Sequence, residues 1–403
     1  MTNTQKSRHL FKNEIPSDWD VLEFGEFVET VKGKYIPVEN ENLRCLELEH
    51  FEQGTGHILG WIYSSIQKST KNKFKKGQVL FGKLRPYLQK YWLAEYDGVC
   101  SSEVWVLNSK NKKCSNEFLF RLVQTNRFIQ VANVSSGSKM PRADWDYVSA
   151  FPFPLPTLPE QKAIAHILSL MDTTINKNNQ LIVQKELLKK WLMQNLLTGK
   201  KRLKGFSGER KRYAYDEILK VVKRPVGWND EELYKLISVR RRSGGIFLRE
   251  SLYGHQIKVK DLRDVEVGDF LFSKMQILHG ASALVTKEFS EAKISGSYIA
   301  VRAKDLSVLN MGFFNWYSKM PYFYHQTYIS SYGVHIEKMT FDFDSFLTLD
   351  IKLPSIEEQT AIAQVLQAAD KEIQLLKIKM EKLKEQKKGL MQILLTGKKR
   401  LII

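Results

Sequence analysis

The side chains most able to do chemistry in this sequence are cationic and amide donors set beside glycine and proline. In the first half, Lys83 and Arg85 stand just ahead of Pro86-Tyr87, and Ser138 and Lys139 end a Ser-Gly-Ser-Lys run followed by Arg142. In the second half, Arg240, Arg241 and Arg242 precede Gly244-Gly245, and Lys274, Gln276 and His279 follow an apolar run. Such donors on loops suit a polyanion: Arg pairs bidentately with the guanine edge and Gln with the adenine edge. Any one of them serves a phosphate equally well, which gives affinity without reading sequence.

Bond-making constellations do not assemble. No Pro-Pro dipeptide occurs, which excludes the Asn/Asp-Pro-Pro-Tyr loop of amino-methylating enzymes, and no strand-borne G-x-G-x-x-G serves a nucleotide cofactor. Thr198-Gly199-Lys200-Lys201 lacks the upstream glycine of a phosphate loop and reads as a helix terminus. The eight histidines are scattered without metal-ligand spacing, and His50 with Glu47 and Glu49 reads as a surface cluster. Glu291-Ala292-Lys293 offers only a chance fragment of a nuclease site. Cys45, Cys100 and Cys114 lack C-x-x-C pairing and read as reduced structural thiols.

The formal charge of +18 points to a polyanionic partner, and nucleic acid is the commonest. The excess is spread along the chain, as suits a protein lying along a polymer. Its densest cluster, Lys200, Lys201, Arg202, Lys204, Arg210, Lys211 and Arg212, is either a solvated linker or a phosphate contact. The sequence contains no apolar run of about 18 residues, so the expectation is a cytoplasmic protein with no membrane partner.

What must position these residues is written twice. Residues 155–203 and 353–401 align without a gap, and 23 of the 49 positions are identical. Both copies carry a heptad seam. In the first it runs through Ile164, Leu168, Ile175, Leu192 and Leu196, with Asn178 and Lys185 interrupting; in the second it runs through Ile362, Leu366, Ile373, Leu390 and Leu394. The interruptions either turn the seam toward solvent or select its register. With Pro159-Glu160 or Glu357-Glu358 as first turns and Gly199 or Gly397 as stops, each helix runs about 38 residues, roughly 55–60 Å. Two such stripes in one chain should pack on each other, antiparallel, as a coiled-coil spacer.

The blocks ahead of each helix are related but drifted. Pro16-Ser17-Asp18-Trp19 is echoed by Pro225-Val226-Gly227-Trp228, and Gly77–Lys83 by Gly268–Lys274, at unequal offsets. Short apolar runs at 78–81, 104–107, 270–272 and 298–301 predict strands, and 116–131 and 313–324 predict helices. Each block should be a mixed α/β domain around one curved sheet, with Trp19 and Trp228 as core anchors. The fold class is therefore α/β (mixed α+β), as two globular domains, 1–154 and 204–352, each followed by a repeat helix, 155–203 and 353–403, in a pseudo-twofold arrangement.

The L-P-x-[LI]-x-E-Q-x-A-I-A opening of each repeat and its Leu-Met-Gln-x-Leu-Leu-Thr-Gly-Lys close, placed after P-x-x-W blocks, resemble the specificity subunits of Type I restriction–modification systems. The resemblance spans essentially the whole chain, and the helical repeats are its most specific part. It implies a non-catalytic DNA-recognition subunit with two target-recognition domains, one per half of a bipartite, asymmetric site. It further implies two DNA adenine methyltransferase subunits as partners, bringing S-adenosylmethionine, with restriction and translocase subunits that use ATP and Mg where present; no cofactor belongs to this chain. The competing readings are a coiled-coil scaffold for acidic proteins and a diverged nuclease or methyltransferase.

Overall fold

The computed structural model describes residues 15–134, 140–336 and 339–401. It divides into two compact units: one runs to Asn179 and resumes at Ile378, and the other is Gln180–Lys377. The division falls inside two long helices, Leu158–Leu192 and Ile356–Leu394, so each unit holds part of both. The first helix ends in a π-helical turn, Met193–Leu197.

Each unit is built on the same plan from different side chains. In the first, strands Val28–Thr30, Val104–Ser109, Val79–Gly82 and Tyr91–Leu93 form an antiparallel sheet in that order. A second sheet of five short strands, with one parallel pair, lies in the same unit. In the second unit the corresponding sheet is Leu219–Val222, Tyr298–Ala303, Phe270–Ser273 and Ser282–Leu284, and a further four-stranded sheet also includes one parallel pair. Each block thus holds a second large sheet besides the curved one expected for it, and the reason lies in the side-chain period of two. Val79 and Phe81 enter one core while Leu80 enters another; Phe270 and Phe272 enter one while Leu271 enters another. A strand buried on both faces shows no alternation in sequence, so its second packing partner was invisible.

The predicted strands are all present, and each predicted block helix is two. Asn116–Leu122 and Asn126–Ala132 are separated where Thr125 caps the Phe128 amide, and Met311–Tyr317 is followed by Pro321–Ile329, whose proline starts a new helix. The three cysteines are buried free thiols. Burial pushes the Cys45 thiol up to about 12.

The echo of Trp19 in Trp228 is not structural. Strand Asp20–Glu23 pairs with Pro152–Leu155, and its counterpart Lys211–Ala214 pairs with Asp350–Leu353. By that register the position of Trp19 is taken in the second unit by Arg210. Trp19 is fully buried against Gly397, and Arg210 lies against Gly199; both glycines are left-handed, and a Cβ would collide with Pro16 at Gly397 and with Arg210 at Gly199. Trp228 is partly buried in a satellite cluster, stacked on Tyr234 at 5.3 Å with Nε1 donating to Asp230. It has no place in the main core.

The doublets Glu160-Gln161 and Glu358-Gln359 explain how each unit is closed. Gln161 Nε2 donates to the carbonyls of Lys113 and Pro156 while its Oε1 accepts from the Ser115 amide, tying the start of the first long helix to the cap of a block helix. Gln359 does the same with Val308, Pro354 and Asn310. The glutamates are crossed between repeats. In the first unit Arg400 donates to Glu160, which also accepts from Trp19 Nε1 at 2.9 Å; in the second, Arg202 donates to Glu358. Glu160 and Glu358 are buried, so each arginine is the compensating charge for a carboxylate at the far end of the other repeat. Arg400 also bonds Asp18 and holds its carboxyl below the usual carboxylate range.

Further ion pairs run the same way. The first unit has Asp172 with Lys387; the second has Lys189 with Asp370, Lys185 with Glu372 and Glu186 with Lys377. From Glu160–Arg400 to Asp172–Lys387 in the first unit, and from Lys185–Glu372 through Lys189–Asp370 to Arg202–Glu358 in the second, partners rise along one repeat as they fall along the other, so the segments are antiparallel. Ile164, Leu168, Ile362 and Leu366 are fully buried, Ile373, Leu196 and Leu394 nearly so, and Ile175, Leu192 and Leu390 partly. Asn178 is 7% exposed, which removes the solvent-facing reading of that interruption.

Three of the seven cations in the basic cluster after the first helix, Arg202, Arg210 and Arg212, have structural partners within the fold. Arg202 holds Glu358, Arg210 donates to the Leu196 and Leu197 carbonyls, and Arg212 pairs with Asp350. Removing Arg202 leaves Glu358 buried and uncompensated. Arg202→Ala should lower stability to urea by about 3 kcal/mol, and Arg202→Ala with Glu358→Gln should recover most of it. Equal losses in the single and double variants would show that the pair carries no such coupling.

Candidate nucleic-acid interface

In the first unit, the chain leaving strand Val79–Gly82 is held on two sides. The Lys83 amide donates to the Glu103 carbonyl at 2.9 Å, and the Lys83 carbonyl accepts from Ala143 at 2.9 Å. Leu84 bridges to Arg142, and the Arg85 amide donates to Pro141 at 2.8 Å. Lys83, Arg85 and Arg142, separated by some 57 residues of sequence, therefore share one short antiparallel edge. Arg85 is exposed with φ of 52°, and a turn at Pro86–Leu88 carries half-exposed Tyr87. A left-handed arginine is an uncommon conformation, kept here by the Pro141 bond. Arg142 is ion-paired with Glu103, so part of its charge is already answered. Ser138 and Lys139 lie outside the described residues.

In the second unit, Lys274 has the address of Lys83. Its amide donates to the Ser297 carbonyl at 2.9 Å and its carbonyl accepts from Phe341 at 3.0 Å. The triple-arginine turn, remote in sequence, is stitched to the turn that follows Lys274: the Arg242 amide donates to the His279 carbonyl at 2.5 Å and that of Ser243 to Gly280 at 2.9 Å. Arg242 and Ser243 are both left-handed, and the Ser243 hydroxyl meets the Tyr324 hydroxyl at 2.7 Å. Arg240 and Arg241 are exposed, and the Arg240 guanidinium stands 4.4 Å from the centre of the Phe247 ring. Gln276 and His279 each bury one polar side-chain atom, Oε1 and Nε2 respectively, so neither presents that atom outward.

The alternative catalytic fragment is not assembled. Glu291 pairs with Lys235, and Lys293 pairs with Asp264. What the geometry brings together instead is one cationic cluster per unit, at the same address beside the antiparallel sheet and with different side chains.

Residues 16–186 match the family model described as the Type I restriction modification DNA specificity domain. The EcoDI specificity subunit of Escherichia coli is 33% identical over 167 residues, which is 40% of this chain and only 37% of that protein. The MjaVIII specificity subunit of Methanocaldococcus jannaschii is 24% identical over 441 aligned positions, covering 95% of this chain and 93% of that one. The chain is thus similar to Type I restriction–modification specificity subunits, over residues 16–186 by the family model and over nearly its whole length by the MjaVIII subunit. Solved structures agree in fold: the HsdS subunit from Thermoanaerobacter tengcongensis has a TM-score of 0.54 at 19% identity, covering 95% of this chain and 98% of that chain. The Type I S subunit from M. genitalium has a TM-score of 0.57 at 13% identity, covering 95% and 96%. No helix among the described residues is long and apolar enough to cross a membrane.

Sequence reasoning overlooked two features of this chain. The crossed Arg–Glu pairs left a signal, since both the Glu-Gln doublet and the Lys-Lys-Arg stop are kept in both repeats. The hairpin of Ser331–Tyr332 and Thr340–Phe341, which is joined to Lys274 through Phe341, left none, because two-residue strands have no readable period.

Proposed function

We propose that this chain is the non-catalytic recognition subunit of a cytoplasmic Type I complex, reading a bipartite, asymmetric DNA site with one globular domain per half-site. The domains are 1–154 and 204–352, and the helices 155–203 and 353–403 are the frame that spaces them. The observation that carries this reading is the pairing of a duplicated frame, closed by the same crossed contacts, with two cationic clusters that share an address and differ in side chains. A conserved frame with divergent clusters supports two unlike half-sites.

Lys83, Arg85 and Arg142 in one domain, and Arg240, Arg241, Arg242, Lys274 and His279 in the other, contact phosphates and base edges, with Ser138, Lys139 and Gln276 as further candidates. Phosphate contacts supply affinity and salt dependence; a few bidentate contacts supply sequence. The seam residues Ile164, Leu168, Ile175, Leu192, Leu196, Ile362, Leu366, Ile373, Leu390 and Leu394 hold the frame. A helix of under 60 Å spans at most about 17 base pairs, and an unread gap near one helical turn lies within that reach. Two adenine methyltransferase subunits dock on this frame and bring S-adenosylmethionine, and each flips its target base from the stack. Restriction and translocase subunits, with ATP and Mg, join through them where the system has them.

Two experiments test this. Binding of the full chain to duplex DNA over a salt series should give a slope equivalent to several phosphates, and Lys274→Ala should reduce that slope by about 1. Weak binding with no slope would instead fit a scaffold for acidic proteins. Exchanging residues 1–154 for the first block of another family member should change one half of the methylated motif. A change in both halves would overturn the assignment of one domain to one half-site.

A further inference from the structure

In the second unit, strands Leu233–Val239 and Ile246–Tyr253 form an antiparallel ribbon whose turn is the triple arginine, and the second strand lies at the edge of its sheet. The register breaks once. Leu236 faces Glu250 and Ile237 faces Leu248, so Arg249 is the extra residue of a β-bulge. A bulge on an edge strand re-aims a side chain, and that of Arg249 is 48% exposed, with its neighbour Glu250 as ion-pair partner at 2.7 Å. Both members of the pair are open to solvent, so a ligand displaces it at little cost.

The first unit has the same address with another side chain. There Cys45 pairs with Val99 in parallel and with Ile62 in antiparallel fashion, as Leu236 does with Lys293 and Glu250. Val99 and Lys293 in turn face Lys73 and Asp264, which precede Gly77 and Gly268 by equal steps. By that register the place of Arg249 belongs to Trp61, an exposed ring with the Arg44 guanidinium 5.2 Å from its centre. The far ends of the two hairpins are tied alike: the Gly54 amide donates to the Gln89 carbonyl at 3.0 Å, and the Ser243 amide to the Gly280 carbonyl at 2.9 Å. Each hairpin is thus joined to the turn that follows Lys83 or Lys274, and the shared edge position holds an indole in one unit and a guanidinium in the other.

An edge strand of eight residues is an open template for another strand, but the bulge breaks its ladder half-way and two charges stand there, devices that block strand addition. Charge points to a different occupant. Residues 233–253 hold five basic side chains and one acidic one, and the Arg240 guanidinium stands over the Phe247 ring of the opposite strand. Two strands about 4.8 Å apart fit, with their side chains, the major groove of roughly 12 Å, where an arginine fork meets the guanine edge. We propose that this ribbon enters the major groove of the half-site read by the second domain and that Arg249 reads a guanine there, a specificity-determining contact beyond the Lys274 cluster. The inference rests on the DNA-recognition reading above. It gives Arg249 a part in discrimination and not in affinity alone, because the bulge fixes where the guanidinium leaves the strand.

The test uses the full chain without methyltransferase and duplexes of about 40 base pairs, a few helical turns, carrying the motif found methylated in host DNA or single-base changes of it. Arg249→Ala should weaken binding to the parent motif about tenfold and abolish discrimination at one G·C pair of one half-site, with every position of the other half read as before. Arg249→Lys keeps the charge and loses the fork, so it should lose the same discrimination while the salt slope stays at the parent value. The side chain is exposed, so an unchanged melting temperature is expected and checks that the fold is intact. Discrimination kept by both variants would overturn the proposal while leaving DNA recognition standing. A loss for Arg249→Ala that is equal on every duplex, with the slope lower by about 1 and full rescue by Arg249→Lys, would also overturn it and make Arg249 a phosphate contact. So would unchanged DNA binding with new self-association of the variants, which would leave the bulge as protection of the edge. A parent chain with no salt-dependent DNA binding would overturn the underlying reading as well.

Discussion

The crossed pairing of an arginine at the end of one repeat with a buried glutamate at the start of the other is the contact on which the architecture depends. A carboxylate stripped of water is tolerated only with a compensating charge and hydrogen bonds. Glu160 has Arg400 and Trp19; Glu358 has Arg202. Neither repeat supplies the arginine for its own glutamate. Each unit is therefore incomplete without a piece of the other repeat, and the compensation sets both the antiparallel direction and the register of the helix segments. A one-residue slip would leave two buried charges unanswered.

The glutamine beside each glutamate extends that constraint into the globular blocks. Gln161 and Gln359 each satisfy two carbonyls and one amide at the start of a block helix, so the orientation of the block follows from the orientation of the long helix. From there the antiparallel sheet and the loops leaving it are fixed in turn. Lys83 and Lys274 share an address because this chain of contacts is duplicated. Their neighbours differ in side-chain type. Geometry is shared and chemistry is free to diverge, which is the physical requirement for one scaffold presenting two recognition surfaces.

Much of this was legible in the sequence wherever a period or an identity carried it. The heptad seam marked the long helices, and the glycine-plus-basic stops marked their ends, because one face of a helix must stay apolar over its whole length. The strands were legible as apolar runs. Their second sheets were not, since burial on both faces erases the alternation that would have revealed a second partner. Trp228 misled because a short motif, P-x-x-W, recurred by chance; the true counterpart of Trp19 is Arg210, and no similarity of residue type links an indole to a guanidinium. The structural role of Arg202 within the basic run was not legible for a different reason: its counterion, Glu358, is 156 positions away, and only folding brings the charges together. The candidate site was legible as donors but not as clusters. Joining the Arg242 turn to His279, or Arg142 to Leu84, depends on backbone hydrogen bonds that have no signature in side-chain type.

The central claim is that a duplicated frame carries two different readers, one in each unit. The most direct measurement is sequencing of the methylated motif in DNA from cells that express this chain with its methyltransferase. The account predicts two half-sites of unlike sequence, on either side of an unread gap of about one helical turn, roughly 10 base pairs or fewer. A single uninterrupted motif, or a palindrome with identical halves, would contradict it.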